Sequence, residues 1–381
     1  MSFEFVENVE DARRVLSEIA DSRSIALDLE AAGFHRFSDR VCLIQISTPE
    51  GRDLILDPLA MEVGDVLRPF LEDPNREILM HGSDYDLRLL DRDLNIHLTA
   101  LFDTQAAAQV LGEPGLGLAA LLEKFLDVKL AKKFQRADWA KRPLPQDMLE
   151  YAACDTRYLH KLVGLIRVKL DEAGRAHWAD EEFRALETIR SEEDLDADPV
   201  IRVKKARDLA LREVARLREA VQWRDGIARA LDRAPFRVAS DEVLMDAATN
   251  PPRSAGEFAS RKGMNGRLAH AEGEALIESI RKIDELPDSE LTPWPRPKRD
   301  GRGRPPPEVE EVADRLKAIR NRTADELGLD RGTLMPNAVV VETAFMHPRS
   351  KEELGQVQGL KKWQIEAVGE RLLAALGGKS G

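Results

Sequence analysis

The stretch SIALDLEA, residues 24–31, reads as a buried β-strand that carries two acids. Asp28 and Glu30 stand at i and i+2, so both carboxylates leave one face while Leu29 points to the other. Such a pair is costly inside a fold unless a cation neutralises it. Taken alone, an acid-x-acid pair at a strand end is more often a solvated edge than a metal site, so this one needs partners from elsewhere in the chain.

Outward from it, RVCLIQIS (40–47), RDLILDPL (52–59) and REILMHG (76–82) are three more strand candidates, the last running into a helix from about Asp84. ALFDTQAAAQVL (100–111) begins as a strand and becomes helical. PLPQDMLEYAACDTRYLHKLVGLIRVKL (143–170) spaces its apolar residues by three and four, which predicts one long amphipathic helix with Pro145 near its start. Short strands alternating with helices predict an α/β sheet domain over residues 1–170. The strands then stop, and the charged helical run EEFRALETIRSEEDLDAD (181–198) predicts a connector over 171–206.

The rest of the chain repeats itself. A constant offset of 96 aligns Pro252 with Pro348, Ser254 with Ser350, Gly263 with Gly359, Gly273 with Gly369 and Leu276 with Leu372. One all-helical module therefore occurs twice, over 207–289 and 305–381. Both copies place Ser three residues before Glu (Ser254/Glu257 and Ser350/Glu353), the spacing of a capping box, and both reach a glycine turn before another helix. The proline-rich run between them, 290–304, predicts an extended linker whose five Arg/Lys either touch RNA or are simply solvated.

A chain of 381 residues predicts two or three domains. With 43% apolar and 33% charged residues it reads as soluble and globular. The start, MSFEFVENVEDARR, lacks the basic and then apolar pattern of a secretory signal, and no run approaches ~18 apolar residues. A cytoplasmic location and no membrane association are expected. Cys42 and Cys154 are too few for a disulfide framework and suit buried, reduced thiols. The formal net charge of −12 repels a phosphate backbone at long range, so any nucleic-acid site must be local.

Partners for the acid pair come from two places. Tyr151 and Asp155 lie four apart in the predicted long helix and share a face, although a tyrosine at this spacing is otherwise core packing. In HGSDYDLRLL (81–90), Asp84 and Asp86 follow a strand-to-helix transition, where functional groups gather in open sheets; Asp84 equally suits a helix cap. Oxygen ligands from three or four carboxylates suit Mg²⁺ or Mn²⁺, whereas the seven histidines and two cysteines show no spacing suited to zinc. Phosphodiester hydrolysis by two ions ~3.5–4 Å apart is the reaction that such a cluster serves best.

These residues in this order resemble the DEDD exonuclease superfamily, with ALDLEA as its first motif, HGSDYDLRLL as its second and YAACD (151–155) as its third. Tyr151 four residues before Asp155, with Glu150 where the other branch has histidine, is similar to the tyrosine branch. VCLIQIS, FDTQ (102–105) and FQRADWAKRPL (134–144) extend the likeness over most of residues 1–170, and the repeated module resembles the HRDC domain. One exonuclease domain followed by two such modules resembles the ribonuclease D family.

The resemblance implies an RNase H-like exonuclease domain, a mixed sheet flanked by helices, then two all-α HRDC domains. It implies a 3′→5′ exoribonuclease that releases 5′-mononucleotides from the 3′ ends of tRNA precursors and other small RNAs, acting as a monomer. It also implies that Asp28, Glu30 and Asp155 hold a first Mg²⁺ or Mn²⁺, that Asp28 bridges to a second supported by Asp86, and that Tyr151 orients the attacking water. Asp84 and Asp86 compete for the second-motif role; counting from His81 and requiring leucine directly after the acid favours Asp86. For an RNA path, Lys129, Lys132, Lys133, Arg136, Lys141 and Arg142 face only Asp138 within 129–142, and Trp139 is a candidate to stack a base or to pack. A DNA 3′→5′ exonuclease and a catalytically silent binding scaffold are the competing readings.

Overall fold

The computed structural model describes residues 3–131, 133–192, 197–295 and 305–377. Six strands make one mixed sheet, β1 (Phe3–Val6), β2 (Ser24–Ala31), β3 (Val41–Ser47), β4 (Asp53–Leu56), β5 (Glu77–Met80) and β6 (Leu101–Asp103), in the order β1-β4-β3-β2-β5-β6. β2 pairs antiparallel with β3 and parallel with β5, so the acid-bearing strand lies in the interior of the sheet. Its alternation is visible in the packing. Ile25, Leu27 and Leu29 enter a core with apolar residues of α1 (Val9–Glu18), α2 (Gly64–Leu71) and α3 (Asp84–Leu89). The four-residue β1 was not foreseen; FEFV is too short for a two-residue period to show.

The opposite face of the sheet is covered by α4 (Thr104–Leu111), α5 (Leu118–Leu126), α6 (Gln146–Arg157) and α7 (Leu159–Glu172). The single long helix expected over 143–170 is two helices, parted at Tyr158. The reason lies in β3, which is gripped on both sides of the break. Thr156 Oγ1 meets Ser47 Oγ at 2.7 Å, and His160 Nε2 meets the Ser47 carbonyl at 2.9 Å. α6 can thereby lie across β2, β3 and β4 while α7 turns away to pack on α4 and α5.

The first helical module comprises α9 (Leu211–Ala230), α10 (Asp241–Thr249), α11 (Ala255–Ser260) and α12 (Gly266–Glu285). The second comprises α13 (Pro307–Leu327), α14 (Arg331–Leu334), α15 (Asn337–Met346), α16 (Lys351–Leu354) and α17 (Lys362–Ala375). The repeat is kept to the hydrogen bond: Ser254 Oγ accepts from Glu257 N and Ser350 Oγ from Glu353 N, both at 3.2 Å. The glutamates reach back one residue further than a capping box, to Arg253 N (2.9 Å) and Arg349 N (2.7 Å). The five Arg/Lys of the linker fall at 296–304, outside the described residues.

The connector does more than tether. Its helix α8 (Ala176–Glu187) buries Trp178, Ala179 and Phe183 in a core that runs from the exonuclease-type domain into the second module. Trp178 stacks on Trp363 with ring centroids 4.8 Å apart, and Glu181 accepts from the backbone N–H groups of Lys362 and Trp363. Gly112, at φ +80°, lets α4 end against the second module; a Cβ there would lie 2.0 Å from the Gly328 carbonyl oxygen. Among the described residues no helix is long and apolar enough to cross a membrane. Cys42 is buried, with its thiol pushed up to about 12 by burial, whereas Cys154, expected to be buried, is only half-buried because it faces a groove beside α6.

Candidate active site

Strand alternation puts Asp28 and Glu30 on the face of β2 over which α6 lies, and α6 brings Tyr151 and Asp155 to the same place. One carboxylate oxygen from each of Asp28, Glu30 and Asp155 falls within 4.8 Å of the others. All three sit deep in the protein yet keep part of their surface open. Burial is the largest cause pushing each carboxyl far above the ordinary range. Asp28 is raised further by Asp86, Asp155 and Glu30, Glu30 by Asp155 and Asp86, and Asp155 reaches about 7.

The two aspartates of the second motif part company. Asp86 points inward, its carboxyl raised to about 7 by burial and then by Asp103, and its charge is felt by Asp28 and Glu30. Asp84 points outward and pairs with Arg88 at 3.2 Å. The Tyr151 ring is wedged between Phe134 (5.7 Å) and Trp139 (6.2 Å). Burial, then Asp155, Glu30 and Asp28, push its phenol upward, so the hydroxyl stays protonated at any working pH.

This donor set fits a divalent cation. Hard oxygen ligands in number, no nitrogen or sulfur among them, and mutual repulsion in a low-dielectric cleft are what Mg²⁺ or Mn²⁺ relieves. A second sign is Gln45, which stands directly opposite Asp28 on β3. It is fully buried, and neither its Oε1 nor its Nε2 has a hydrogen-bond partner.

Two features escaped the sequence reading, though their motifs were noticed. VCLIQIS contributes Gln45, whose register with Asp28 only strand pairing reveals. FDTQ supplies the brace for Asp86: Asp103 Oδ2 accepts from Ser83 N at 2.7 Å, while its Oδ1 caps α4 through Gln105 N and Ala106 N. Thr104 donates to the Met80 carbonyl and contacts His81 Nδ1 at 2.9 Å, which pins the turn leading into α3.

The basic segment divides by role. Trp139 cannot stack a base, because it is 2% exposed and packs with Met148, Leu149 and Ala152; its indole is core. Arg142 is likewise structural, binding Asp57 at 2.8 Å and the carbonyls of Cys42 and Trp139. Lys133 is exposed, bonded to Asp147 at 2.7 Å, and Arg136 is exposed over the Phe34 ring. Lys132 lies outside the described residues. A groove of about 350 Å³, lined by Val128, Leu130, Phe134, Tyr151 and Cys154 with Lys129 and Lys133 among its walls, opens beside Asp155.

Residues 3–171 match the family described as 3'-5' exonuclease, and 213–280 and 309–376 each match the HRDC domain. Ribonuclease D of Pseudomonas paraeruginosa (strain DSM 24068 / PA7) is 30% identical over 355 residues, which cover 92% of this chain and 92% of that protein. The chain belongs to the ribonuclease D family. It is accordingly a 3′→5′ exoribonuclease, a phosphodiester hydrolase. Similarity also reaches Protein RRP6-like 2 of Arabidopsis thaliana, 32% identical over 67% of this chain; there the match spans only 31% of the relative's length. The solved structure of Escherichia coli RNase D, 24% identical, superposes with a TM-score of 0.71 over 99% of both chains, so the ribonuclease D fold extends through both HRDC domains.

Proposed function

We propose that this ribonuclease D family member trims the 3′ ends of structured RNAs, tRNA precursors among them, releasing 5′-mononucleotides one at a time and working as a cytoplasmic monomer. The observation that carries the reading is the convergence of Asp28, Glu30, Asp86 and Asp155 with the Tyr151 phenol in one cleft. Asp28, Glu30 and Asp155 would hold one divalent ion, with Asp28 shared with a second that Asp86 supports. Two such ions, when bound, supply an activated water and stabilise the leaving 3′ oxygen. Tyr151, held neutral, orients that water through its hydroxyl rather than serving as a base. Asp103 and Thr104 act at one remove by fixing the turn that aims Asp86.

The test uses a 5′-labelled tRNA precursor with a 3′ extension and a single-stranded DNA of equal length, each with Mg²⁺, Mn²⁺ or EDTA. A metal-dependent ladder shortening the RNA from its 3′ end is expected. Preference for DNA would transfer the activity to the deoxy polymer, and cleavage that survives EDTA would remove the metal assignment.

A further inference from the structure

The exposed large apolar side chains among the described residues include three aromatic rings, Phe34 (41% exposed), Tyr85 (50%) and Phe236 (50%). Phe34 and Phe236 meet at one junction, and Tyr85 is tied to its edge through Asp39. Phe34 lies in the loop that follows β2, four residues after Glu30, and Tyr85 is the neighbour of Asp86 on α3. Phe236 comes from the turn between α9 and α10 of the first HRDC domain. The Phe34 and Phe236 rings are 5.3 Å apart, and Tyr85 Oη donates to the Asp39 carboxylate, which also accepts from Gly33 N.

The junction is cationic as well as aromatic. Arg237 lies over both phenylalanines, at 5.1 Å and 5.6 Å, Arg136 lies over Phe34 at 5.6 Å, and Arg229 lies over Phe37 at 5.0 Å. Among the described residues no carboxylate forms an ion pair with Arg136, Arg229, Arg233 or Arg237, in a chain whose net charge is −12. The acids nearby are engaged: Asp138 and Asp232 with Arg36, Asp39 with Tyr85. Nor is the surface a chance meeting of two mobile parts. Arg237 Nε donates to the Phe34 carbonyl at 3.0 Å, Ala234 N to the His35 carbonyl at 3.0 Å, and Asp232 accepts from Phe37 N.

We propose that Phe34 and Phe236, with the arginines around them, form a composite platform on which the single-stranded 3′ tail of the RNA stacks its bases a few nucleotides upstream of the scissile bond. The proposal rests on the exoribonuclease reading above and assigns the first HRDC domain a place in substrate binding. Position argues for it: four residues of chain hold Phe34 within ~14 Å of Glu30, so the platform stands within a few nucleotides' reach of a strand whose last phosphate lies at the carboxylates. Chemistry argues the same way. Every base has a π-face, and aromatic stacking beside arginines is the sequence-tolerant means of holding a single strand, whereas the buried Trp139 cannot serve.

The test compares kcat/KM on a twelve-nucleotide single-stranded RNA with kcat/KM on a diribonucleotide too short to reach the platform. In F34A/F236A the ratio of the two is expected to fall by about tenfold or more, within the range of roughly fivefold to a hundredfold per base that stacking supports. F34W/F236W should keep the ratio and F34L/F236L should not, a pattern that mere packing would not give. An unchanged ratio, including equal loss on both substrates, overturns the platform. Binding of the twelve-mer to wild type and F34A/F236A in EDTA, followed by fluorescence anisotropy, separates the two claims. If wild type cuts neither RNA, the functional reading fails, while undiminished binding by F34A/F236A removes the platform alone.

Discussion

At the scale of single residues the candidate active site is a store of repulsion, and its consequences have a sign. Asp86 and Asp155 have carboxyls raised to about 7, far above their unfolded values. A raised folded pKa means stability that is fully present below the unfolded value and lost as pH rises through about 7. The metal-free protein should therefore melt at lower temperature at pH 8 than at pH 6, and Mn²⁺ should raise Tm more at pH 8 than at pH 6; equal shifts at both would show that the acids do not bear the metal. Asp155→Asn removes one of the repelling charges, so it should raise Tm in EDTA while lowering kcat/KM by roughly 10³-fold, as loss of several kcal/mol of charge stabilisation requires. Tyr151→Phe keeps the ring between Phe134 and Trp139 and removes only the hydroxyl. It should lower kcat by about 10²-fold with KM little changed, and steady-state kinetics on a single-stranded RNA would show an undiminished kcat if Tyr151 were packing alone.

At the scale of elements, what the sequence could tell depended on whether a signal was local. The strand-borne pair Asp28/Glu30 and the helix-borne pair Tyr151/Asp155 were legible because a two-residue and a four-residue period are written in the chain itself. The break at Tyr158 was not, since neither glycine nor proline marks it and its cause is Ser47, more than a hundred residues away. Trp139 stayed open between stacking a base and packing, and Arg142 stood in a candidate RNA path, for the same reason: their burial comes from α6 and from Asp57, not from neighbours in sequence. That difference is measurable. Arg142→Ala would leave Asp57, 1% exposed, as a buried carboxylate without its ion-pair partner, at a cost of about 3 kcal/mol. It should also loosen the segment that packs on Tyr151. Arg136→Ala, on the surface, should leave the free energy of unfolding in urea within about 0.5 kcal/mol of wild type, and equal destabilisation by the two would deny Arg142 a structural role.

At the scale of the whole molecule the two HRDC domains are not equivalent, although their sequences repeat. The second shares one continuous apolar core with the exonuclease domain through α8, where Trp178 meets Trp363 and Arg175 ties the Val110 carbonyl to that of Leu327. The first has a core of its own, built around Val221, Leu244 and Phe258, and meets the exonuclease domain through the polar and aromatic junction at Phe34. A change in a shared core weakens both partners, whereas a change in a separate core weakens one. Trp363→Ala and Phe258→Ala each delete a fully buried aromatic and should each cost about 3–5 kcal/mol locally, yet they should report differently. Under increasing urea, Trp363→Ala is expected to lower the concentration at which hydrolysis of a diribonucleotide is lost, because the catalytic domain loses its support. Phe258→Ala should leave that concentration nearly unchanged while shifting the transition seen by Trp223, which bonds to the Glu272 carbonyl within the first module. If both variants moved the loss of hydrolysis equally, the three domains would unfold as one cooperative unit, and the first HRDC domain would be part of the catalytic domain's support as well as a neighbour of its cleft.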